Sequence, residues 1–585
     1  MSFLRRLGAW LSGRKTHAAW MSDTLVLVAG RPGGARGCEL RVTVSERDLE
    51  LRLYACPAQS EPLVSRGERS VPMRASVLPM REFATQCLRP LPDGGRKLIE
   101  ELIRATAPEL EGPDGLAVAK SLRVVRDATR GELREPTGEH GAALAVNVDA
   151  ILAIDDRAFW AHGWMNDPES LVERLEIVSP EGQRVDLLAG GQRYARPDVA
   201  ELFAAAGGHA QRQGFLRYFE LPHPSRLRGG WRVEVRDTAG DDYRVNAPND
   251  MTDNPLETRL TILREVASDR PGKEELRESL GHPALARLQR RLRAMATIEA
   301  VNQYGEPPEA PRVTVIVPLY KRVDFVEHQL AQFGRDPDIA AADLIYVLDS
   351  PELAPQLAHL SAALSELHGV SFRVARTARN AGYAIANNLA AELARADTLL
   401  LLNSDVLPVE PGWLGRLHGF HQATPDVGAL GPKLLFEDES IQHAGMYFEL
   451  QGESGLWANR HYFKGFSRSL MAANVSRPVP AVTGACMMIG RALYEELGGL
   501  PEDYIEGGFE DSDFCIRLLE AGRHNWYLAD VELFHLEAQS YRTEARVANV
   551  YNAWLQTHRW GDRIDEIMRA QASESDAQLM LVDTP

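Results

Sequence analysis

The sequence predicts a multidomain chain in which β-sandwich-like modules precede a C-terminal α/β domain built on a doubly wound sheet. Three observations carry this prediction. The first half alternates short apolar runs with Gly- and Pro-containing turns, the pattern of half-buried strands. The second half alternates continuous apolar runs with helix-like stretches, the pattern of parallel strands covered on both faces. Between them YGEPPEAPR, residues 304–312, concentrates three prolines in the manner of a linker.

Composition narrows the function. At 585 residues the chain has room for several domains. Its 44% apolar and 25% charged residues are those of globular protein. A net charge of −17 makes it a poor polyanion binder, so no nucleic acid partner is expected. Cys38, Cys56, Cys87, Cys486 and Cys515 are scattered and without metal-type spacing, which predicts a reducing, cytoplasmic compartment. No apolar run reaches the roughly 18 residues of a membrane span.

In order along the chain, residues 1–22 read as a basic amphipathic helix. Phe3, Leu4, Leu7, Trp10 and Leu11 share one face, while Arg5, Arg6, Arg14 and Lys15 add charge with no acid among the first 20 residues. Such a helix either lies peripherally on an anionic membrane or packs on its own protein. Residues 23–140 read as a β-rich module, with strands expected from 24 to 135 (DTLVLVAG, LRVTVSERDLELRLYA). Residues 145–250 repeat the style in VDAILAIDD and WRVEVRDTAGDDYRV. There Trp160 and Trp164 belong to a core or, if exposed, to a carbohydrate surface. Residues 255–308 read as a helical linker, with Leu285, Leu288, Leu292 and Met295 on one face and Arg287, Arg290, Arg291 and Arg293 on a solvated one.

Residues 309–560 are expected to form one domain that folds alone, followed by a tail at 561–585. VTVIVPLY, DLIYVLDS, VSFRVAR and TLLLLNSDV read as four buried strands. Ligands of such sheets sit at the carboxyl ends of strands, where Asp349 and Asp405 both fall. No GxGxxG follows a strand and no Walker lysine loop occurs, so a nucleotide would be held by a metal and side chains. FEDSDFCIRLLEAG places Glu510, Asp511 and Asp513 in the first turn of an amphipathic helix behind Gly507 and Gly508. Three acids in four residues exceed what helix capping requires.

VTVIVPLYKR, VLDS, NAGYAIANN, LLNSDV, TGACMMIGRALYEELGGL, GGFEDSDFCIRL and ELFHLEAQS occur in the order of the family-2 inverting glycosyltransferases of the GT-A fold. The chain resembles that family over about residues 312–541, and is most similar to the bacterial rhamnosyltransferase-type enzymes that build surface polysaccharides. The resemblance implies that Pro318, Tyr320 and Asp349 contact the nucleoside, and that Asn380 and Gly382 lie by the diphosphate and ribose. It implies that Asn403 and Asp405 stand at the metal-binding D-x-D, with Asp405 and His535 (in H-x-x-x-x-S with Ser540) ligating Mn²⁺ or Mg²⁺. Gly484 and Ala485 match a segment beside the donor sugar. Glu510 and Asp511 match the E-D pair whose Asp is the catalytic base, with Asp513 as a further acid of the same stretch. The chain departs from the pattern at Lys321, Leu348 and Ala390.

The chemistry agrees with these roles. A departing diphosphate needs a cation held by hard ligands, and an acceptor hydroxyl needs a base as its bond forms. The expectation is a metal-dependent inverting glycosyltransferase, hexosyl- or deoxyhexosyl-transferring, cytoplasmic or peripheral on the inner membrane face. Its donor is a nucleoside-diphosphate sugar, and its acceptor a hydroxyl of a bacterial surface glycan or a lipid-linked acceptor. One alternative is an inactive nucleotide-sugar-binding scaffold. A sugar-phosphate nucleotidyltransferase needs a Gly-rich, Arg-containing loop after the first strand, and PLYKRVDF is not one.

Overall fold

The computed structural model describes residues 144–536 and 543–582, except 169, 205–211, 228–229, 239–241, 246–247 and 269–271. Before residue 144 it describes seven strands between His17 and Pro72 and eight helical positions between 80 and 125. The apolar stripe and basic residues expected at 3–15 lie outside these residues. His17–Trp20, assigned by sequence to the same helix, instead form a strand antiparallel to Leu25–Gly30. The apolar HAAW finds its backbone partners in the LVLVAG run. Past Pro72 the described positions are helical where strands are expected. Val118, Leu122 and Val125 are buried there at spacings of four and three, one helical face.

From Ala145 the chain builds two sheets. One holds Ala145–Ala153, Ala158–Asn166, Gln192–Tyr194, Gly214–Glu220 and Asp250–Thr252; the other holds Val172–Val178, Arg184–Asp186, Arg232–Asp237 and Asp242–Val245. Ile151, Phe159 and Phe215 from the first meet Leu175, Ile177 and Val233 from the second in one core. Strand alternation turns Leu152, Trp160 and Leu216 to the opposite face, against the helices that follow. Trp160 is therefore core, and Trp164 packs on Phe203 at 5.7 Å.

Helix α1 (Pro255–Ala267) starts where Asn254 accepts the amide of Leu256. Helix α2 (His282–Met295) buries Leu285, Leu288 and Leu292 as its spacing predicts. Of its four arginines Arg290 is exposed as expected, but the other three are not a solvated face. Arg287 pairs with Asp155 and Glu220, Arg291 donates to the Ile154 carbonyl at 2.8 Å, and Arg293 to Glu502 at 3.0 Å. Acceptors lie on both sides of α2 because it is wedged between the upstream sheets and the C-terminal half. The helical expectation for 255–308 ends at Met295, since β1 (Ile298–Tyr304) is an edge strand. Its amides find partners in β4, which has an open side.

The C-terminal strands that frame the site are β2 (Val313–Leu319), β3 (Asp343–Leu348), β4 (Phe372–Thr377), β5 (Thr398–Leu402), β6 (Val406–Pro408), β7 (Val427–Leu435), β8 (Ile441–His443), β9 (Cys486–Gly490) and β10 (His524–His535); Arg477–Pro478 also pairs with β10, and Met446–Gln451 with Leu456–His461 forms a separate hairpin. Among the described residues the sheet runs β1-β4-β3-β2-β5-β9-β7-β10-β6, with β8 beside β7. Strands β2 to β5 are parallel. Alternate residues bury on opposite faces: Ile316, Ile345 and Leu401 on one, Val315, Leu344 and Leu400 on the other. The chain winds from β2 through β3 to β4 on one side, then returns to place β5 on the other. That reversal opens a crevice at the carboxyl ends of β2 and β5.

Helices α3 (Tyr383–Ala391) and α4 (Glu510–Glu520) flank the sheet. Helix α5 (Thr543–Val582) is continuous across position 560, so a division between 560 and 561 falls inside one element. Its Tyr551, Trp554 and Leu555 share a core with Leu263, Leu285 and Leu288 of α1 and α2.

Candidate active site

The crevice is floored by the ends of β2 and β3. Pro318 and Tyr320 are half-buried at the end of β2. Lys321 takes a left-handed φ of 59°, donates its amide to Ser350 Oγ at 2.9 Å, and holds its ammonium 4.3 Å from the Tyr320 ring centre. Asp349 is buried, and its carboxylate is fully engaged. Oδ1 accepts Thr377 Oγ1 at 3.2 Å and the Ala381 amide at 2.7 Å; Oδ2 accepts Asn380 Nδ2 and the Gly382 amide, each at 2.9 Å. Burial outweighs these bonds and pushes Asp349 up to about 7. It holds the turn that leads into α3, and Gly382 closes that turn at φ 87°, ψ 163°, a region open essentially to glycine alone.

The Gly484–Ala485 segment, just before β9, gathers three other pieces. Tyr383 Oη donates to the Gly484 carbonyl at 2.7 Å, and the Asn403 amide donates to the Ala485 carbonyl at 2.9 Å. The Gly484 amide donates to Asp511 Oδ2 at 2.9 Å. A side chain at 484 would meet Tyr383 Oη at 2.9 Å, so the close approach needs glycine. The turn at 380–383, the turn at 403–405 and Asp511 of α4 therefore converge on two residues.

Asp405 and His535 come together across β6 and β10, where Val406 pairs with His535. The Nε2 of His535 lies 3.4 Å from Asp405 Oδ1. Gln442 on β8 fixes the ring: its Nε2 donates to the His535 carbonyl at 3.2 Å, leaving its Oε1 2.6 Å from His535 Nδ1. The Nδ1–H therefore donates to Gln442, and in the neutral ring the Nε2 lone pair faces Asp405. An oriented imidazole beside a carboxylate fits a divalent cation that keeps positions for other oxygens. Among the described residues no group of three or more His, Cys, Asp or Glu forms a complete cage, so a cation here would need ligands from the donor. Ser540 lies outside the described residues.

The three acids of α4 part company. Asp511 is half-buried; its Oδ1 accepts the Ser512 amide at 2.8 Å, and burial raises its carboxyl above the ordinary range. Glu510 is 5% exposed, its Oε2 has no hydrogen-bond partner, and burial with the Asp511 charge raises it to about 7. Asp513 does not join them. It is 0% exposed and accepts from Arg517, Tyr504, Arg559 and Trp560 at 2.7 to 2.8 Å. Charge-assisted bonds to helix α5 make it a structural anchor.

Before α4, four consecutive residues take positive φ: Glu506 61°, Gly507 86°, Gly508 95° and Phe509 80°. The two with side chains each store on the order of 1 kcal/mol. Elsewhere in this half, an open polar cavity of about 730 Å³ is lined by Asp438, Glu439, Ser440, Arg468, Asn474 and Glu532.

Residues 311–560 match the family model described as glycosyltransferase like family 2. The chain carries a glycosyltransferase family 2 domain. An uncharacterised protein of Sinorhizobium fredii is 36% identical over 172 residues, 29% of this chain and 18% of that one. The O-antigen biosynthesis protein RfbC of Myxococcus xanthus is 35% identical over 163 residues, 28% and 13% of the two chains. The N-acetylglucosaminyl-diphospho-decaprenol L-rhamnosyltransferase of Mycobacterium tuberculosis is 26% identical over 151 residues, 25% and 48%. The chain thus spans less than half the length of each of these relatives. Among solved structures, the mannosyltransferase PcManGT of Pyrobaculum calidifontis in complex with GDP-Man and Mn²⁺ is 18% identical, covering 50% of this chain and 72% of that one. Its TM-score of 0.30 carries no argument.

Two residues of the glycosyltransferase domain escape sequence reasoning. Gln442 sits in an unremarkable IQHAG, and only the fold brings it to His535. Tyr383 follows N-A-G directly, and that position was a usable signal.

Proposed function

We propose that the chain transfers a sugar, with inversion, from a nucleoside-diphosphate donor to a hydroxyl of a bacterial surface glycan or a lipid-linked acceptor. The observation that supports this best is the convergence on Gly484 and Ala485. It sets Asp511 beside the two elements that would hold the donor, the turn at 380–383 and the turn at 403–405. Asp405 and His535 would hold Mn²⁺ or Mg²⁺, which when bound stabilises the diphosphate as it departs. Asn380 and Gly382, fixed by Asp349, line the donor side, with Tyr320 and Pro318 under the nucleoside. Asp511 is the base: it is reachable, and its raised pKa suits it to take the acceptor proton. Glu510, deeper and with one oxygen unpartnered, stays protonated more readily and so leaves the charge to Asp511.

The relatives named for O-antigen biosynthesis and for rhamnosyl transfer onto a decaprenyl diphosphate support a glycan or lipid-linked acceptor. We place the work in the cytoplasm or at the inner membrane face. Among the described residues no helix is long and apolar enough to cross a membrane. The scaffold alternative draws no support, since Asp405, His535 and Asp511 all stand in the site. The test is a thermal-shift screen of nucleoside diphosphates with and without Mn²⁺. A Mn²⁺-dependent rise with one of them is expected, and no rise with any would overturn the reading.

A further inference from the structure

We propose that Arg259, on helix α1 outside the glycosyltransferase domain, is a positioning residue for catalysis: it holds the strained turn at 506–509 that aims Asp511. The proposal rests on the glycosyltransferase reading of that site. A run of four positive φ angles persists only where its surroundings over-determine it, and here they do so from two directions. From upstream, Arg259 Nη2 pairs with Glu506 Oε1, at the first residue of the run. Arg259 Nη1 donates to Gln289 Oε1 at 3.2 Å, and Gln289 Nε2 donates to the Glu502 carbonyl at 3.0 Å. Arg293 adds a bond to Glu502 Oε1. From downstream, Asn552 of α5 brackets the turn, accepting the Ile505 amide at 3.0 Å and donating to the Ile505 and Gly508 carbonyls at 2.9 and 3.2 Å. Beneath, Ile505 and Phe509 share a core with Leu263 of α1 and Leu288 of α2.

Arg259 is 11% exposed, so the guanidinium end of the pair is largely buried, while the Glu506 carboxylate is open to solvent. Without it, Glu506 keeps a left-handed backbone but loses the partner that fixes its side chain. The turn then relaxes and Asp511 shifts against the acceptor. The donor side is untouched, because Asn380, Asp405 and His535 stand on other elements. Here the last helices of the β-rich upstream region belong to the machinery that aims the base.

The experiment uses the full chain and release of nucleoside diphosphate from a panel of UDP-, dTDP- and GDP-sugars, with water in place of the acceptor hydroxyl as the nucleophile that Asp511 deprotonates. Arg259→Met should lower kcat by about tenfold or more, with donor KM and the Mn²⁺-dependent nucleotide thermal shift unchanged. Arg259→Lys should recover part of the rate, and the exchanged pair Arg259→Glu with Glu506→Arg more than either single change. Parent-like kcat in Arg259→Met, or a loss of nucleotide binding in step with kcat, would overturn the proposal, as would no recovery in the exchanged pair. Amide hydrogen exchange over 504–511 is read on the same proteins. If the parent shows neither donor turnover nor a Mn²⁺-dependent nucleotide shift, the glycosyltransferase reading fails by itself, and unchanged exchange in Arg259→Met sinks the clamp separately.

Discussion

The Glu510 carboxyl is buried with one oxygen unpartnered and Asp511 beside it, and both features favour its protonated form. Its pKa is about 7 in the folded chain against 4.5 when free. The folded state therefore binds the extra proton between those values. The associated stability is complete below pH 4.5 and is lost as pH rises through 7. Glu510→Gln, which cannot ionise, should match the parent at pH 5 and exceed it at pH 8 by on the order of 2 kcal/mol; chemical denaturation at the two pH values measures this. Asp511→Asn makes a different expectation. It should keep donor affinity within a few-fold and lower turnover by about 10² or more, the scale of a lost general base. Calorimetry beside a transfer assay distinguishes it from a binding defect, and transfer at the parent rate would remove Asp511 from the role. Because burial raises its carboxyl, the acidic limb of the parent's kcat/KM profile should fall above the ordinary carboxylate range.

At the scale of elements, β8 exists in the site for one side chain. Gln442 holds the ring of His535 by a two-way contact. Gln442→Leu keeps the volume but removes the acceptor for Nδ1–H. The Mn²⁺ concentration that half-saturates nucleotide binding should then rise by about 10- to 100-fold, with the metal-free melting temperature little changed. Equal metal dependence in variant and parent would show that the ring needs no such support. Strands β2, β3 and β5 were legible in the sequence because a strand buried on both faces must be apolar throughout, and such runs announce themselves locally. The acids at their ends followed from the same logic. The contacts that give those acids their roles did not. Gln442 lies 93 residues from His535, and Arg259 lies 247 from Glu506. A polar residue whose partner is that distant leaves no periodic trace. Asp513 shows the reverse case, since its spacing marks it as one of a trio while its four partners make it an anchor.

For the molecule as a whole, the Pro-rich 304–312 stretch reads as a boundary but does not separate independent bodies. Strand β1 precedes it and closes the edge of the sheet, and α1 and α2 cover Tyr504, Ile505 and Phe509. A fragment of 309–560 removes all three and also severs α5. It should be poorly soluble or melt well below a fragment of 144–582, which retains the whole interface. Expression of both, followed by thermal denaturation, decides between them. Equal melting temperatures would mean that the shared core contributes little, against the roughly 25 cal/mol per Å² that apolar burial ordinarily supplies.

The anchoring of the catalytic turn by α5 also has a consequence in time. Asn552, Arg559 and Trp560, which bracket the turn and saturate Asp513, follow Asp513 or its turn by 44 to 47 residues. A ribosome adding about 5 to 20 residues per second completes that stretch roughly 2 to 9 s after the acids themselves. Late in this interval, once His535 has been added, a nascent chain possesses β2 through β10 and the groups that would grip a donor, but not the struts that would aim its base. Synthesis thus orders capture before turnover. Messages cut short in that window would yield decoys that sequester the activated sugar without spending it.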